Sequence, residues 1–496
     1  MRSARWRLLW LLGSAGCVPG MSGPTPRLDE RAELRHVIDS MLAAPEVRHA
    51  RWGVLIVDPD RGDTLYSHDA GKLFVPASNM KIITAAVALE VLGPDFRFRT
   101  PVLARGPVQD GVLLGDLLVV GRGDPSVSDH VAGDAMIPLN AVAEAIAARG
   151  ITRIAGSVLP WGNAFPDATI GFGWPLDDLE FAYSAPVDEL LFNEGYSEIH
   201  VRAGAQPNDP PEIWTRPARS YPPLRIAVTT TLRGTGEDSL PQVEAVKDTM
   251  RGDVLVSGTI PAGDSAVRIV THRDPAQAYV AALREALADH GIAIGDSAFV
   301  ADSAAVADTV HVLESPPLSQ ILGFFMKPSQ NQIGEMLFKS VGLAVADTGT
   351  VRVARRIVAE QLATWGAQND GSLIWGGSGL SRRDMLSPET IVRVLDVMRR
   401  GPHFETYHDA FPVAGVDGTL RLRMRGTVGE ANVRGKTGTL GSVRSLSGYV
   451  TTAGGQQLLF SVLANNFLVG TERISRVQDT IAVRLARLRV VTGSDR

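Results

Sequence analysis

The chain has 496 residues, a hydrophobic share of 45% and a formal net charge of −5. That length and apolar content allow two to four domains with packed cores, and the mildly acidic balance lacks the basic face that nucleic acid binding needs. A single cysteine excludes an intrachain disulfide. Neither an H-E-x-x-H pattern nor a Cys–His set is present, so no metal and no cofactor are expected.

The chain opens with Arg2, Arg5 and Arg7 ahead of Leu8-Leu9-Trp10-Leu11-Leu12 and the small residues Gly13-Ser14-Ala15-Gly16. This is a secretory pattern over residues 1–17, too short for a stable membrane span. Export to the periplasm or cell envelope is expected. Cys17 resembles the lipidated cysteine of a bacterial lipoprotein box, with Ser14 where leucine is usual. A lipid anchor at Cys17, the only membrane attachment expected, and an incidental cysteine removed with an ordinary leader both stay open.

A helix is predicted over 31–42, then strands over 52–57 and 64–67. Pro76-Ala77-Ser78 leads into an almost wholly apolar helix that runs from Lys81 to a Gly93-Pro94 stop. From about 101 to 311 the chain is richer in Gly, Pro and strand-like runs. Within that stretch 206–223 reads as a loop or domain junction, 251–260 and 266–271 as strands, and 276–290 as an amphipathic helix. Helices return after about 312, followed by an antiparallel meander with strands over 446–452 and 456–464. The chain closes with a helix over 474–488 whose apolar face is Ile474, Val477, Ile481, Leu485 and Leu488.

Three short boxes stand out in order: Ser78-Asn79-Met80-Lys81, Ser329-Gln330-Asn331 and Lys436-Thr437-Gly438. Each alone is weak, and the second alone reads as a polar loop; in sequence and in context they are strong. Ser78 and Lys81 share one helix face, and a lysine opening so apolar a helix is not an ordinary surface residue. Lys436-Thr437-Gly438-Thr439 sits on a strand of the meander, where glycines often mark close backbone approach of something, such as a substrate peptide lying alongside an edge strand. A phosphate-binding loop is excluded, because five residues separate Gly429 from Gly435 where that motif has four.

The three boxes together are the set found in penicillin-recognising serine enzymes. The chain resembles the low-molecular-mass penicillin-binding proteins, D-alanyl-D-alanine carboxypeptidases and endopeptidases of the penicillin-binding protein 4 type. Further matches are Gly121-Arg122-Gly123-Asp124-Pro125, Gly377-Ser378-Gly379-Leu380-Ser381-Arg382 and the run from Phe411 to Leu420. The gap of about 250 residues from Ser78 to Ser329 resembles that type, in which extra domains are inserted. Two departures are Gln330 at the centre of the second box and Trp375-Gly376 where the family often has Asp.

The resemblance implies an α+β fold: a penicillin-binding, β-lactamase-like serine transpeptidase domain, with an antiparallel sheet covered by helices on both faces and β-rich insertions. The catalytic part would be 25–100 with 312–496, and the insert, 101–311, would form two domains. It implies Ser78 as nucleophile, Lys81 as general base, Ser329 as proton relay, and Asn331 and Lys436 as further catalytic residues. Thr437, Gly438 and Thr439 would bind substrate, with Lys436, Thr437 and Thr439 receiving its terminal carboxylate, and the Ser78 and Thr439 N–H groups would form the oxyanion hole. Partners would be peptidoglycan stem peptides ending in D-Ala-D-Ala, with β-lactams as inhibitors. An added DD-endopeptidase activity stays open beside the carboxypeptidase, and a β-lactamase or esterase on the same site and a non-catalytic peptidoglycan-binding protein remain as alternatives.

Overall fold

The computed structural model describes residues 30–234, 239–248, 251–295, 307–367 and 371–489. The leader and Cys17 lie outside the described residues.

The two ends of the chain build one five-stranded antiparallel sheet, in the order Arg434–Leu440, Val443–Thr451, Gln457–Asn465, Arg51–Asp58, Asp63–His68. Gln457–Asn465 is central and buried on both sides, and its alternation sorts its residues between two layers. Leu459 and Leu463 pack with the helices Met80–Leu92, Asn331–Ala346 and Pro388–Arg400. Leu458, Phe460, Val462 and Ala464 pack with Glu30–Leu42 and Thr471–Arg487. Helices therefore cover both faces, and Arg434–Leu440 is left as an edge strand.

Met80–Leu92 is apolar around its circumference, and its residues from Met80 to Leu89 are all buried. A helix with no polar face has to run through a core, which is how Lys81 comes to be fully buried. The helix ends at Gly93, whose φ of 82° suits glycine. The closing helix, Thr471–Arg487, buries Ile474, Ile481 and Leu485 against the other face of the sheet.

The middle of the chain forms separate sheets. Arg99–Arg105 pairs antiparallel with Ala307–Glu314 and with Asp116–Val120, which pairs parallel with Val158–Trp161. The expected cuts at 100 and 312 thus each fall inside a strand of this four-stranded sheet. Tyr196–Arg202 lies between Glu212–Arg216 and Ser265–Thr271, and Asp253–Pro261 lies between Leu224–Thr231 and Gln242–Asp248. One core gathers Leu117, Leu139 and Leu283, and a second gathers Ile199, Val256 and Ile260.

The strand Glu212–Arg216 corrects the expectation of a loop over 206–223. The prolines flank this strand rather than interrupt it: Pro210 and Pro211 precede it and Pro217 follows, so its N–H groups stay free for the ladder. The helix predicted over 276–290 is Pro275–Asp289, started by Asp274, whose carboxylate accepts the Gln277 N–H, and by Pro275 in the first turn.

Candidate active site

Ser78 lies in the 3-10 turn Ala77–Asn79 that leads into Met80–Leu92. Ala77 holds a φ of 47°, an unusual left-handed conformation for a non-glycine residue, next to the serine. The turn is anchored to the sheet from both sides. Asn79 Nδ2 donates to the Lys436 carbonyl at 2.7 Å, Ser447 Oγ donates to Asn79 Oδ1 at 2.6 Å, and Ser445 Oγ donates to the Pro76 carbonyl at 2.8 Å.

Gly438 is required by this closeness. A Cβ there would lie 2.1 Å from Ser445 Oγ and 2.9 Å from both Pro76 O and Ser78 N. The sequence expectation of close backbone approach is met here by the nucleophile turn itself. At Gly435 a Cβ would instead meet the Leu446 side chain at 2.9 Å.

Lys81 Nζ lies 2.8 Å from Ser78 Oγ, 2.6 Å from Asn331 Oδ1 and 2.7 Å from the Ser378 carbonyl. Burial, reinforced by the Lys436 cation, holds its pKa well below the ordinary lysine value, while Glu335 and Asp384 pull the other way. A neutral lysine amine has two N–H bonds and one lone pair. With Asn331 Oδ1 and Ser378 O taking the two hydrogens, the lone pair faces the Ser78 hydroxyl, the arrangement a general base needs.

Asn331 begins the helix Asn331–Ala346, and Gln330 is its N-cap, the Gln330 side chain accepting the Ile333 N–H at 3.1 Å. Gln330 at the centre of the second box thus has a local structural use. Asn331 Nδ2 donates one hydrogen to the Tyr183 carbonyl at 2.8 Å, and the residue lines the cleft. Ser329 sits just before the cap with a φ of 68°, a strained conformation for serine. Its Oγ accepts from Lys436 Nζ at 2.8 Å.

Lys436 lies beneath the cleft rather than in it. It is fully buried, it also donates to the Thr437 carbonyl at 2.9 Å, and burial lowers its pKa to about 7. The cleft, of about 540 Å³, is lined by Ser78, Ser329, Asn331, Thr437, Gly438 and Thr439. Any contact with a substrate carboxylate would come from these lining groups, with Lys436 acting through Ser329 and its charge. Thr437 Oγ1 donates to Thr419 Oγ1 at 2.7 Å, and Thr439 Oγ1 accepts from the Arg444 guanidinium.

Sequence reasoning singled out neither Ser378 nor Thr419, though both lie in runs that carry the resemblance. Asp178 and Tyr183, which also line the cleft, had no local signal, because they belong to an irregular segment about 150 residues before Ser329. They reach the site because the segment is fastened to the second box: Gln332 Nε2 donates to the Ala182 carbonyl at 3.0 Å beside the Asn331–Tyr183 bond. Trp375, where the family often has Asp, stacks under the Arg355 guanidinium 3.7 Å from its ring centre. Among the described residues no group of three or more His, Cys, Asp or Glu could hold a metal ion, and no helix is long and apolar enough to cross a membrane.

Comparison with known proteins gives the family. The model of the D-Ala-D-Ala carboxypeptidase 3 (S13) family matches residues 34–488. A D-alanyl-D-alanine carboxypeptidase of Actinomadura sp. (strain R39) is 36% identical, over 96% of this chain and 88% of that protein. The carboxypeptidase DacB of Haemophilus influenzae is 26% identical over 84% of this chain and 86% of its own. The crystal structure of penicillin-binding protein 4 from Haemophilus influenzae superposes with a TM-score of 0.75 at 22% identity, covering 91% of this chain and 99% of that one. The match along 34–488 and the Actinomadura relative make the chain a member of the D-Ala-D-Ala carboxypeptidase 3 (S13) family.

Proposed function

We propose that the chain is a serine-type D-alanyl-D-alanine carboxypeptidase acting on peptidoglycan stem peptides through an acyl-enzyme on Ser78. The observation that carries the residue roles is the lysine pair. Lys81 Nζ is 2.8 Å from Ser78 Oγ, and a second buried lysine, Lys436, is bonded to Ser329. Lys81 takes the Ser78 proton as Oγ attacks the carbonyl between the two D-Ala residues. Ser329 gives its hydroxyl proton to the departing D-Ala amine and takes one from Lys436 Nζ, 2.8 Å away; when water attacks the acyl carbon, its proton restores Lys436 through Ser329 and Lys81 returns its proton to Ser78 Oγ. The backbone N–H groups of Ser78 and Thr439 take the oxyanion, each donor contributing on the order of 3 kcal/mol. Water then releases the acyl chain.

The same reading divides the chain into an acyl-transfer part built from its two ends and an insert of two domains between them, with the joints moved from 100 and 312 to the outer ends of the paired strands Arg99–Arg105 and Ala307–Glu314. The joint sheet of the two ends and the two separate apolar cores of the middle support this. Residues 1–17 are an export leader, and Cys17 is a candidate lipid anchor. β-Lactams acylate Ser78; the Haemophilus relative has also been solved in complex with a β-lactam. The insert segment with Asp178 and Tyr183 lines the cleft, and DD-endopeptidase cleavage of cross-linked stems at the same site is part of this reading.

D-Ala release from a stem pentapeptide, set beside hydrolysis of a penicillin, tests the assignment. Faster turnover of the peptide supports it. Rapid multiple turnover of the penicillin with no D-Ala release makes the chain a β-lactamase instead, and failure of a fluorescent penicillin to label the chain makes it a non-catalytic binder.

A further inference from the structure

Behind Lys81 lies a buried carboxylate that the chemistry above leaves unused. Glu335 is one turn beyond Asn331 on the same helix, facing the same side, and is only 3% exposed. One of its oxygens, Oε1, accepts both the Ser378 backbone N–H, at 3.0 Å, and the Ser378 hydroxyl. Ser378 Oγ in turn accepts the Leu380 N–H at 3.1 Å, and the Ser378 carbonyl accepts from Lys81 Nζ at 2.7 Å.

The glycines around this clamp leave it no slack. A Cβ on Gly376 would lie 2.7 Å from Glu335 Oε1, and one on Gly377 would lie 2.0 Å from the Gly334 carbonyl. Thr84, from the nucleophile helix, ties down the same strip by donating to the Gly377 carbonyl at 2.8 Å.

We propose that Glu335 is a positioning residue for the general base: it clamps Ser378 so that the Ser378 carbonyl occupies one N–H of Lys81 and the amine lone pair stays on Ser78. This rests on the assignment of Lys81 as base. Without the clamp, the amine keeps only Asn331 as a fixed acceptor, and rotation about its Cε–Nζ bond spreads the lone pair over other directions. The negative charge acts separately from the clamp. Lys81 is faced by Lys436 from the edge strand, by Glu335 from its helix and by Asp384 from the strip that carries Ser378. Glu335 also faces Lys339 from its own helix and Asp384. Glu335 and Asp384 both favour the protonated lysine.

Geometry and charge separate in two variants. In Glu335→Gln the amide oxygen still accepts from Ser378 while the charge is gone; Glu335→Ala removes both. The readout is the acylation rate constant with a fluorescent penicillin across pH, normalised to labelled sites. Glu335→Gln is expected to keep the maximal rate within about threefold and to move the acidic limb to lower pH, since less charge opposes deprotonation of Lys81. Glu335→Ala is expected to lose about tenfold or more of the maximum. Variants with lower melting temperatures but with wild-type rate and limb per labelled site would make Glu335 a packing residue and overturn the proposal. A Glu335→Gln limb that stays put or moves to higher pH would overturn the charge effect alone; if Glu335→Ala does not fold, Glu335→Met, of similar length and with no oxygen to accept from Ser378, decides the clamp, and a wild-type maximal rate per labelled site there overturns it. Ser78→Ala keeps the two readings apart: persisting label there removes the site assignment itself, whereas an undiminished maximal rate in Glu335→Ala or Glu335→Met with Ser78 labelled removes only the role of Glu335.

Discussion

Lys436→Met replaces a buried ammonium by an apolar side chain of similar length, and the structure sets the sign of its effect on stability at each pH. Burial moves the Lys436 pKa from 10.5 to about 7. At roughly 1.36 kcal/mol per pH unit, that difference converts to about 5 kcal/mol. Between about 7 and 10.5 the unfolded chain holds more protons at this site than the folded one, so stability rises with pH across that window; the penalty is complete below about 7 and absent above 10.5. Methionine removes the penalty and also the bonds to Ser329 Oγ and the Thr437 carbonyl. At about 1–1.5 kcal/mol each, these amount to roughly 3 kcal/mol. Relative to wild type, the variant should therefore gain about 2 kcal/mol at pH 6 and lose about 2 kcal/mol at pH 10, where roughly 1 kcal/mol of the penalty remains. Thermal melts of both proteins at the two pH values read the sign directly, with background titrations common to both. A variant destabilised at pH 6, or with the same difference at both pH values, would refute the view of Lys436 as a buried charge held against its solvation cost. Its deacylation and acylation should both be nearly abolished throughout.

Other outcomes follow from the same geometry. Gly438→Ala should cut acylation more than about a hundredfold, because a Cβ 2.1 Å from Ser445 Oγ and 2.9 Å from Ser78 N displaces the nucleophile turn; turnover at wild-type rate would mean that the turn moves freely. Ser329→Ala should lower kcat by about a hundredfold or more with little change in penicillin labelling stoichiometry, since it removes the relay and leaves Ser78 and Lys81 in contact. KM for a substrate with a free terminal carboxylate should rise above pH 7 as Lys436 loses its proton, whereas an amidated substrate should show no such rise; parallel profiles for both would contradict an electrostatic role for Lys436.

The catalytic core was legible in the sequence because its signals are local. An apolar helix with Gly-Pro after it, a cap residue before a helix and alternating strands near the end of the chain each declare themselves within about fifteen residues. The three boxes sit at element starts or on the edge strand, which made them visible, and the family resemblance supplied the roles of their residues. The strand Glu212–Arg216 was missed because prolines were weighed as breakers when they only bound it. The depth of Lys436 was missed because burial of a strand residue depends on what lies over it, here Ser329, about a hundred residues earlier in the chain. Glu335, Asp178 and Tyr183 carry no motif of their own, and only the fold brings them to the site.

The most direct test of the account is the mass of the protein trapped during turnover of a stem pentapeptide ending in D-Ala-D-Ala. The account predicts one equivalent of D-Ala released and a tetrapeptide acyl adduct that maps to the peptide containing Ser78, absent from Ser78→Ala. An adduct elsewhere, or D-Ala release by Ser78→Ala at an undiminished rate, would contradict it.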